Sequence, residues 1–309
     1  MQIYHSLEAL PDLAGCVVTA GTFDGVHLGH RAILSGVVAE ARRRQKAAVV
    51  VTYDPHPRLV LFPEQQDLRL LTTLAEKAEQ LRLAGVDALL VLPFTKAFSR
   101  WTYTEYVDRV IVGALQAGVF VLGYDHQFGN GRAGSFATLQ TVAASKGFAL
   151  EEIPAHMVDQ ATVSSSKIRH ALQAGDVVAS AAFLGRPYSL AGTVVHGKKL
   201  GRTLGYPTLN VQPDSPYKLL PYTGVYAVWV DLRGERYMGA LNIGYNPTVE
   251  GKGWSCEVFL LDYTGDAYDA LVRIHFCHRL RDELRFDGLD ALKEQMAQDV
   301  AKARALLSA

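Results

Sequence analysis

Two periodicities divide the chain. Through its first half, short β-branched runs at 17–20, 48–52, 88–92, 119–123 and 149–153 alternate with longer amphipathic segments at 31–44, 73–83, 104–115 and 136–146. Apolar runs separated by helical periods are the pattern of βα units, whose strands are covered on both faces of a parallel sheet. Ser135 stands in capping position before the last of these helices, and two further short helices are expected after Ser165. Beyond Gly185 the period shortens: 190–195, 224–231, 237–242, 256–261 and 271–277 alternate apolar with polar residues between turn formers, as in an antiparallel barrel. A final segment, 289–307, carries leucines, alanines and a methionine at helical spacing and is expected to pack on that barrel. The pattern predicts an α/β domain over 1–184 and a β domain over 185–309, with a C-terminal helix.

Composition narrows this picture. A chain of 309 residues exceeds the usual single-domain size, which favours two cores. Lysine plus arginine equals aspartate plus glutamate at 31 each, so there is no overall positive field to hold a nucleic-acid backbone or an anionic membrane, and neither is expected as a partner. Cys16, Cys256 and Cys277 are far apart and sit in strand-like runs, which disfavours a disulfide framework or a zinc site. The N-terminal residues lack a secretory pattern, and no apolar stretch reaches the roughly 18 residues of a membrane span. A cytoplasmic location is the expectation.

The strongest local feature is GTFDGVHLGH at 21–30, between the first strand and the first helix. A strand end opening into a helix N-terminus offers free N–H groups and a positive dipole end, and Gly21, Gly25 and Gly29 let a phosphate approach the main chain. His27 and His30, three apart, project from the first turn toward one phosphate and can offset charge as pyrophosphate leaves. The plainer reading is that the histidines and Asp24 satisfy loop backbone groups or bind a metal. The spacing matches neither the dinucleotide-binding GxGxxG pattern nor a P-loop.

The HxGH form is the signature of the nucleotidylyltransferase superfamily, and the longer motif resembles its FMN adenylyltransferase branch. YDPHP at 53–57, FTKAFSRWTYTEYV at 94–107, GYDHQFGNGRAG at 123–134 and SSSKIR at 164–169 follow in that family's order. The resemblance implies a Rossmann-like nucleotidylyltransferase domain in which Gly21, Phe23, Asp24, Gly25 and Gly29 hold ATP with Ser164, Ser165 and Arg169 on its β and γ phosphates. It places Asp54, His56, Asp125, Phe128 and Asn130 near the flavin substrate. SSSKIR read alone is equally a helix cap with solvated charges, and Asp125 and Asn130 are equally turn formers. Tyr53 stands where relatives commonly have phenylalanine.

The second half carries GRPYSLAGTVVHGKKLGRTLGYPTLN at 185–210. HGKKLGRTLGYPT is a glycine-rich basic loop able to fold over a nucleotide, or else a solvated basic hairpin. Thr208 and Asn210 alternate on an extended segment, so they share a face and present oxygen ligands suited to magnesium. Glu257, in CEVFLLDY at 256–263, should point away from Cys256 and Val258; it is a candidate base for a substrate hydroxyl, or a surface strand glutamate. The stretch resembles the riboflavin kinase module, which makes Glu257 the catalytic base, although Phe259 stands where relatives often have histidine. The same resemblance puts Gly197, Lys198, Gly201, Arg202 and Pro207 on the nucleotide, and Arg281, Glu283 and Phe286 near the flavin. NIGYNPTV at 242–249 and LRDELRF at 280–286 continue the family order, with charge pairs expected among Arg281, Glu283 and Arg285.

The chain is thereby similar throughout to the prokaryotic bifunctional riboflavin kinase/FMN adenylyltransferase family. That implies small-molecule substrates riboflavin, FMN and ATP, and Mg2+ with the ATP. A flavin sensor that binds nucleic acid through Arg42–Arg44 and the loop at 198–202 is the rival from another class, disfavoured by net neutrality.

Overall fold

The computed structural model describes residues 1–64, 68–123, 136–153, 163–197, 201, 205–245 and 253–308. By packing, the chain divides into two compact units: Met1–Leu68 with Leu74–Val163, and Arg69–Thr73 with Ser164–Ala309.

The first unit is built on a six-stranded sheet in the order β1-β4-β3-β2-β5-β6. Its strands are β1 (Gln2–Tyr4), β2 (Val17–Ala20), β3 (Ala48–Asp54), β4 (Ala88–Pro93), β5 (Val119–Gly123) and β6 (Ala149–Ile153). Every neighbouring pair is parallel. The helices are α1 (Leu28–Arg44), α2 (Pro57–Leu61), α3 (Leu74–Leu83), α4 (Tyr103–Tyr106) and α5 (Phe136–Lys146). Successive β2 residues enter opposite layers. Val17 packs with Val37 and Ala41 of α1, and Val18 with Val107, Val110 and Ile111. Coverage on both faces explains why the strands read as unbroken apolar runs.

The chain leaves β2 toward β3 and β4 on one side, and takes up β5 and β6 on the other. The connection after β2 therefore lies at the switch point where an open parallel sheet gathers ligands. The loop at 21–27 occupies that place.

Two elements differ from expectation. Helix α1 begins at Leu28, three residues early, because His27 caps it: its Nδ1 accepts from the His30 backbone N–H at 3.3 Å. The segment expected as one helix over 104–115 is α4 followed by a π-helical run, Val107–Ala114, in which Leu115 N–H donates to Val110 O. The wider turn places Val107, Val110 and Ile111 in the core. The proposed cap at Ser135 lies outside the described residues.

The second unit contains a closed barrel in the order β10-β11-β8-β7-β12-β9. Its strands are β7 (Tyr188–Val195), β8 (Thr208–Pro213), β9 (Gly224–Leu232), β10 (Glu235–Tyr245), β11 (Trp254–Leu260) and β12 (Leu271–Arg281). Neighbours are antiparallel, and β7 alternates buried with half-buried positions along its length. Helices α6 (Ser165–Gln173) and α7 (Val177–Leu184) precede the barrel, and α8 (Leu289–Ser308) packs on β9 and β10.

By packing, α6 and α7 group with the barrel, α7 lying on β7 and β12. Residues 69–73 join the same unit. Leu70 N–H donates to Tyr217 O at 2.7 Å, and the buried Lys218 Nζ donates to Leu71 O at 2.7 Å.

Candidate active sites

In the first unit the loop after β2 is curled by three departures from ordinary backbone within four residues. Phe23 and Val26 adopt φ of 46° and 39°, and Gly25 adopts 87°. Left-handed geometry at phenylalanine and β-branched valine is uncommon and costs about 1–3 kcal/mol at each, so packing must impose it. Phe23 and Val26 are buried in a cluster with Leu34 of α1, Val50 of β3, and Ala78 and Leu81 of α3. Val26 N–H closes a turn on Phe23 O at 3.1 Å. At Gly21 an added Cβ would meet the Phe23 ring at 3.1 Å, tighter than a side chain tolerates without movement.

The two histidines lie flat against each other, ring centroids 3.7 Å apart and planes 16° apart. Because His27 Nδ1 accepts a hydrogen bond, its proton belongs on Nε2, which fixes the tautomer. His30 is pushed well below the usual imidazole range, first by burial and then by His27 and Lys77. Its Nδ1 is covered and has no hydrogen-bond partner among the described residues. An orphaned buried nitrogen costs about 1–3 kcal/mol unless a ligand uses it. Asp24 is also buried, and Gly29 is buried within α1.

Other expected residues are more dispersed. Asp54 ends β3 and is exposed, while His56 caps α2 by accepting from Arg58 N–H at 3.2 Å. Ser164 caps α6 by accepting from Lys167 N–H at 3.3 Å, Ser165 opens that helix, and Arg169 Nε donates to Arg69 O at 2.9 Å. These three belong to the barrel unit. Asp125, Phe128, Asn130, Lys198 and Arg202 lie outside the described residues.

The second unit holds a cavity of about 280 Å³. Glu257 on β11 pairs in register with Asn210 of β8 on one side and Asn242 of β10 on the other. Thr208 Oγ1 donates to Glu257 Oε2 at 3.3 Å. Strand alternation sends Cys256 and Val258 inward as buried residues and leaves Glu257 half-buried at the cavity wall. Thr208, Asn242, Glu257 and Phe259 all line the cavity, so the sequence-selected carboxylate and hydroxyl meet there. Phe259 packs edge-on to Tyr206, centroids 5.2 Å apart, one residue before the exposed Pro207.

Two glycines of the basic loop are closely hemmed in. A Cβ on Gly197 would overlap the Asn210 amide, and one on Gly201 would overlap Tyr206 O, while Tyr206 N–H donates to Gly201 O at 2.8 Å.

Arg281 departs from expectation. It ends β12 rather than lying on a loop, and its partner is Asp299 of α8, not Glu283. Nε donates to both carboxylate oxygens at 2.9 and 3.1 Å, and Nη2 donates to Oδ2 at 2.6 Å. An irregularity in the β12–β9 register between Arg279 and Arg281 accompanies this placement. The guanidinium also lies 5.9 Å from the Phe286 ring centre. Glu283 sits against Gly244, where a Cβ would meet its Oε1 at 2.6 Å.

Sequence reasoning missed Asp299, Met296 and Leu292, which bring α8 to the cavity, and Asn242, although its motif was recognised. It also missed Lys77, buried behind the histidine loop.

The FAD synthetase family model matches residues 10–167, and the riboflavin kinase model matches 184–307. A bifunctional riboflavin kinase/FMN adenylyltransferase from Pseudomonas fluorescens is 42% identical over 308 residues, covering 99% of this chain and 98% of that protein. One of the same description from Escherichia coli is 38% identical over 97% of this chain and 95% of its own length. A solved structure described as a macrolide-efflux protein from Streptococcus pneumoniae is similar with a TM-score of 0.88, 29% identity and 98% coverage of each chain. That likeness is carried as one of fold; among the described residues no helix is long and apolar enough to cross a membrane. With one enzyme module matched in each half and relatives of both modules matched end to end, the chain belongs to the bifunctional riboflavin kinase/FMN adenylyltransferase family.

Proposed function

We propose that the chain makes FAD from riboflavin in two ATP-consuming steps: phosphorylation to FMN at the barrel and adenylylation of FMN at the parallel sheet. The observation that carries this reading is that the histidine loop and the Glu257 cavity lie in two separately packed units. One presents an anion cradle at a switch point, and the other presents a carboxylate on a cavity wall.

At the barrel, Glu257 takes the proton of the riboflavin ribityl hydroxyl as its oxygen attacks the γ phosphorus and ADP leaves. Arg281, Glu283 and Phe286 serve the flavin, and Gly197, Lys198, Gly201, Arg202 and Pro207 serve the nucleotide. Thr208 and Asn210 fit a magnesium ion: both offer neutral oxygens on one strand face, beside the Glu257 carboxylate. Bound there, Mg2+ would offset phosphate charge.

At the sheet, the FMN phosphate is itself the nucleophile, so no covalent intermediate is required. The loop with Gly21, Phe23, Asp24, Gly25 and Gly29 receives the triphosphate, and His27 and His30 face charge that develops as pyrophosphate departs. Ser164, Ser165 and Arg169 act on the β and γ phosphates, and Asp54, His56, Asp125, Phe128 and Asn130 on the flavin substrate. Both reactions draw on cytoplasmic ATP.

The test is incubation of the purified protein with riboflavin, ATP and Mg2+, followed by separation of the flavins over time. FMN should appear first and FAD after it. FMN without FAD would refute the adenylyltransferase assignment, and no product would refute both.

A further inference from the structure

Residues 21–30 themselves carry no lysine or arginine. Burial keeps His30 neutral, and His27, stacked on it, opposes its protonation further. Asp24 adds a buried carboxylate. A triphosphate brought to residues 21–30 thus meets N–H dipoles and two imidazoles, with an acid alongside.

Lys77 adds a buried cation from α3. It is only 6% exposed, on the buried face of α3. The next residue, Ala78, and Leu81 one turn on pack directly against the left-handed loop residues Phe23 and Val26. Lys77 Nζ donates to Thr52 Oγ1 at 3.2 Å, and that buried hydroxyl donates to Thr22 O at 3.3 Å, inside the loop. Its field reaches His30 on α1, Asp24 in the loop and Asp54 at the end of β3. Taking an ammonium out of water is costly, and a methionine would fill similar space without that cost. A side chain that breaks the local rule so close to a ligand site points to function.

We propose that Lys77 is a positioning residue of the anion cradle: it holds the loop at Thr22 through Thr52, and its charge strengthens binding of the triphosphate and of the departing pyrophosphate. This rests on residues 21–30 being the adenylyltransferase site. Burial lowers the Lys77 pKa from the ordinary lysine range, while Asp24 and Asp54 oppose that shift. Anion affinity should therefore fall as pH rises through a value below that of an exposed lysine. Carboxylates and imidazoles ordinarily titrate at lower pH and do not produce an alkaline limb.

The experiment uses the full chain in the reverse reaction, FAD plus pyrophosphate giving FMN plus ATP. Lys77→Met should raise the KM for pyrophosphate ten- to a hundredfold and lower FAD turnover, with FMN formation from riboflavin unchanged. Lys77→Arg should restore the KM to within about fivefold and abolish the alkaline limb, since arginine stays charged. An active Lys77→Met enzyme with wild-type KM for pyrophosphate would overturn the proposal and leave Lys77 a structural tether. Should Lys77→Met fail to fold, an alkaline limb that persists unchanged in Lys77→Arg overturns it. Wild-type protein that neither forms nor cleaves FAD overturns the adenylyltransferase reading along with it.

Discussion

Truncating Asp299 tests whether α8 is part of the kinase cavity or only its cover. The Arg281–Asp299 pair is largely removed from water, with side-chain exposures of 19% and 8%. Three N–H···O contacts and a fourth from Gln295 Nε2 at 3.1 Å converge on one carboxylate. Removing one partner of a buried pair costs about 3–5 kcal/mol, because the other charge is left uncompensated. Water can reach the partly exposed guanidinium, and Arg281 Nη1 keeps its bond to Asp282 O at 2.8 Å, which places Asp299→Ala at the lower end, about 3 kcal/mol. For a unit of this size that is a fall of about 6–12 °C in the midpoint of heat inactivation of FMN formation. FAD formation from added FMN, measured in the same samples, is the internal reference. Leu292, Met296 and Val300 share the helix and line the cavity, whereas Glu257 stands on β11. The KM for riboflavin should accordingly rise about tenfold, roughly the 1.4 kcal/mol of a loosened wall, with kcat little changed. A double-mutant cycle with Arg281→Met should return a coupling of at least about 2 kcal/mol. A single-mutant loss below about 1 kcal/mol, or a coupling near zero, would show that the pair behaves as an exposed one and that the reasoning is wrong.

The two reactions should separate by mutation. Glu257→Gln, which keeps the shape and the Thr208 neighbour, should slow FMN formation by about 10²–10⁴-fold in steady-state assays, with FAD formation from supplied FMN intact. His30→Ala should lower FAD formation by about 10²–10³-fold while FMN still accumulates; loss of both activities in a folded protein would contradict separate sites. Acid sensitivity has a local source at Asp87. Arg42 holds its carboxyl below the usual range, helped by the Ala48 N–H at 2.8 Å. A depressed folded pKa gives stability that is present above the unfolded pKa and lost as pH falls through the folded one. Asp87→Asn should therefore flatten the dependence of unfolding on pH below about 4, read by acid titration of circular dichroism, and leave neutral-pH kinetics alone.

What could be read from sequence follows from which physical signals are local. The inner strands were legible because burial on both faces leaves runs such as Val49–Val51 without a polar residue. Strand β1 was not, since three residues at a sheet edge carry no period. The π-helical run is invisible to a 3.6-residue template. The glycines of the phosphate loop announce their purpose, whereas positive φ at Phe23 and Val26 is imposed by packing against α3, and nothing in those residue types suggests it. Glu257 was recoverable because strand alternation fixes its direction. Lys77 and Asp299 were not: each is a charged residue in an amphipathic helix, where the ordinary expectation is a solvated face, and only the fold shows them buried.

The two sites also solve opposite electrostatic problems, which explains why different residue types serve them. The kinase must make an alcohol nucleophilic, which calls for a carboxylate kept near solvent beside neutral groups, and Glu257, half-buried and accepting from Thr208 Oγ1, is proposed for that part. The adenylyltransferase already has an anionic nucleophile, so its cradle has only to gather like charges together. A buried imidazole such as His30, held neutral and stacked on His27, is poor at holding an anion beforehand. On the roles proposed above, Lys77, buried and bonded to Thr52, would supply steady attraction, and His27 and His30 the response to the leaving charge. On that division, loss of Lys77 should register chiefly in anion affinity and loss of His30 chiefly in kcat. The two variants compared in one reverse-reaction assay would expose any exchange of roles.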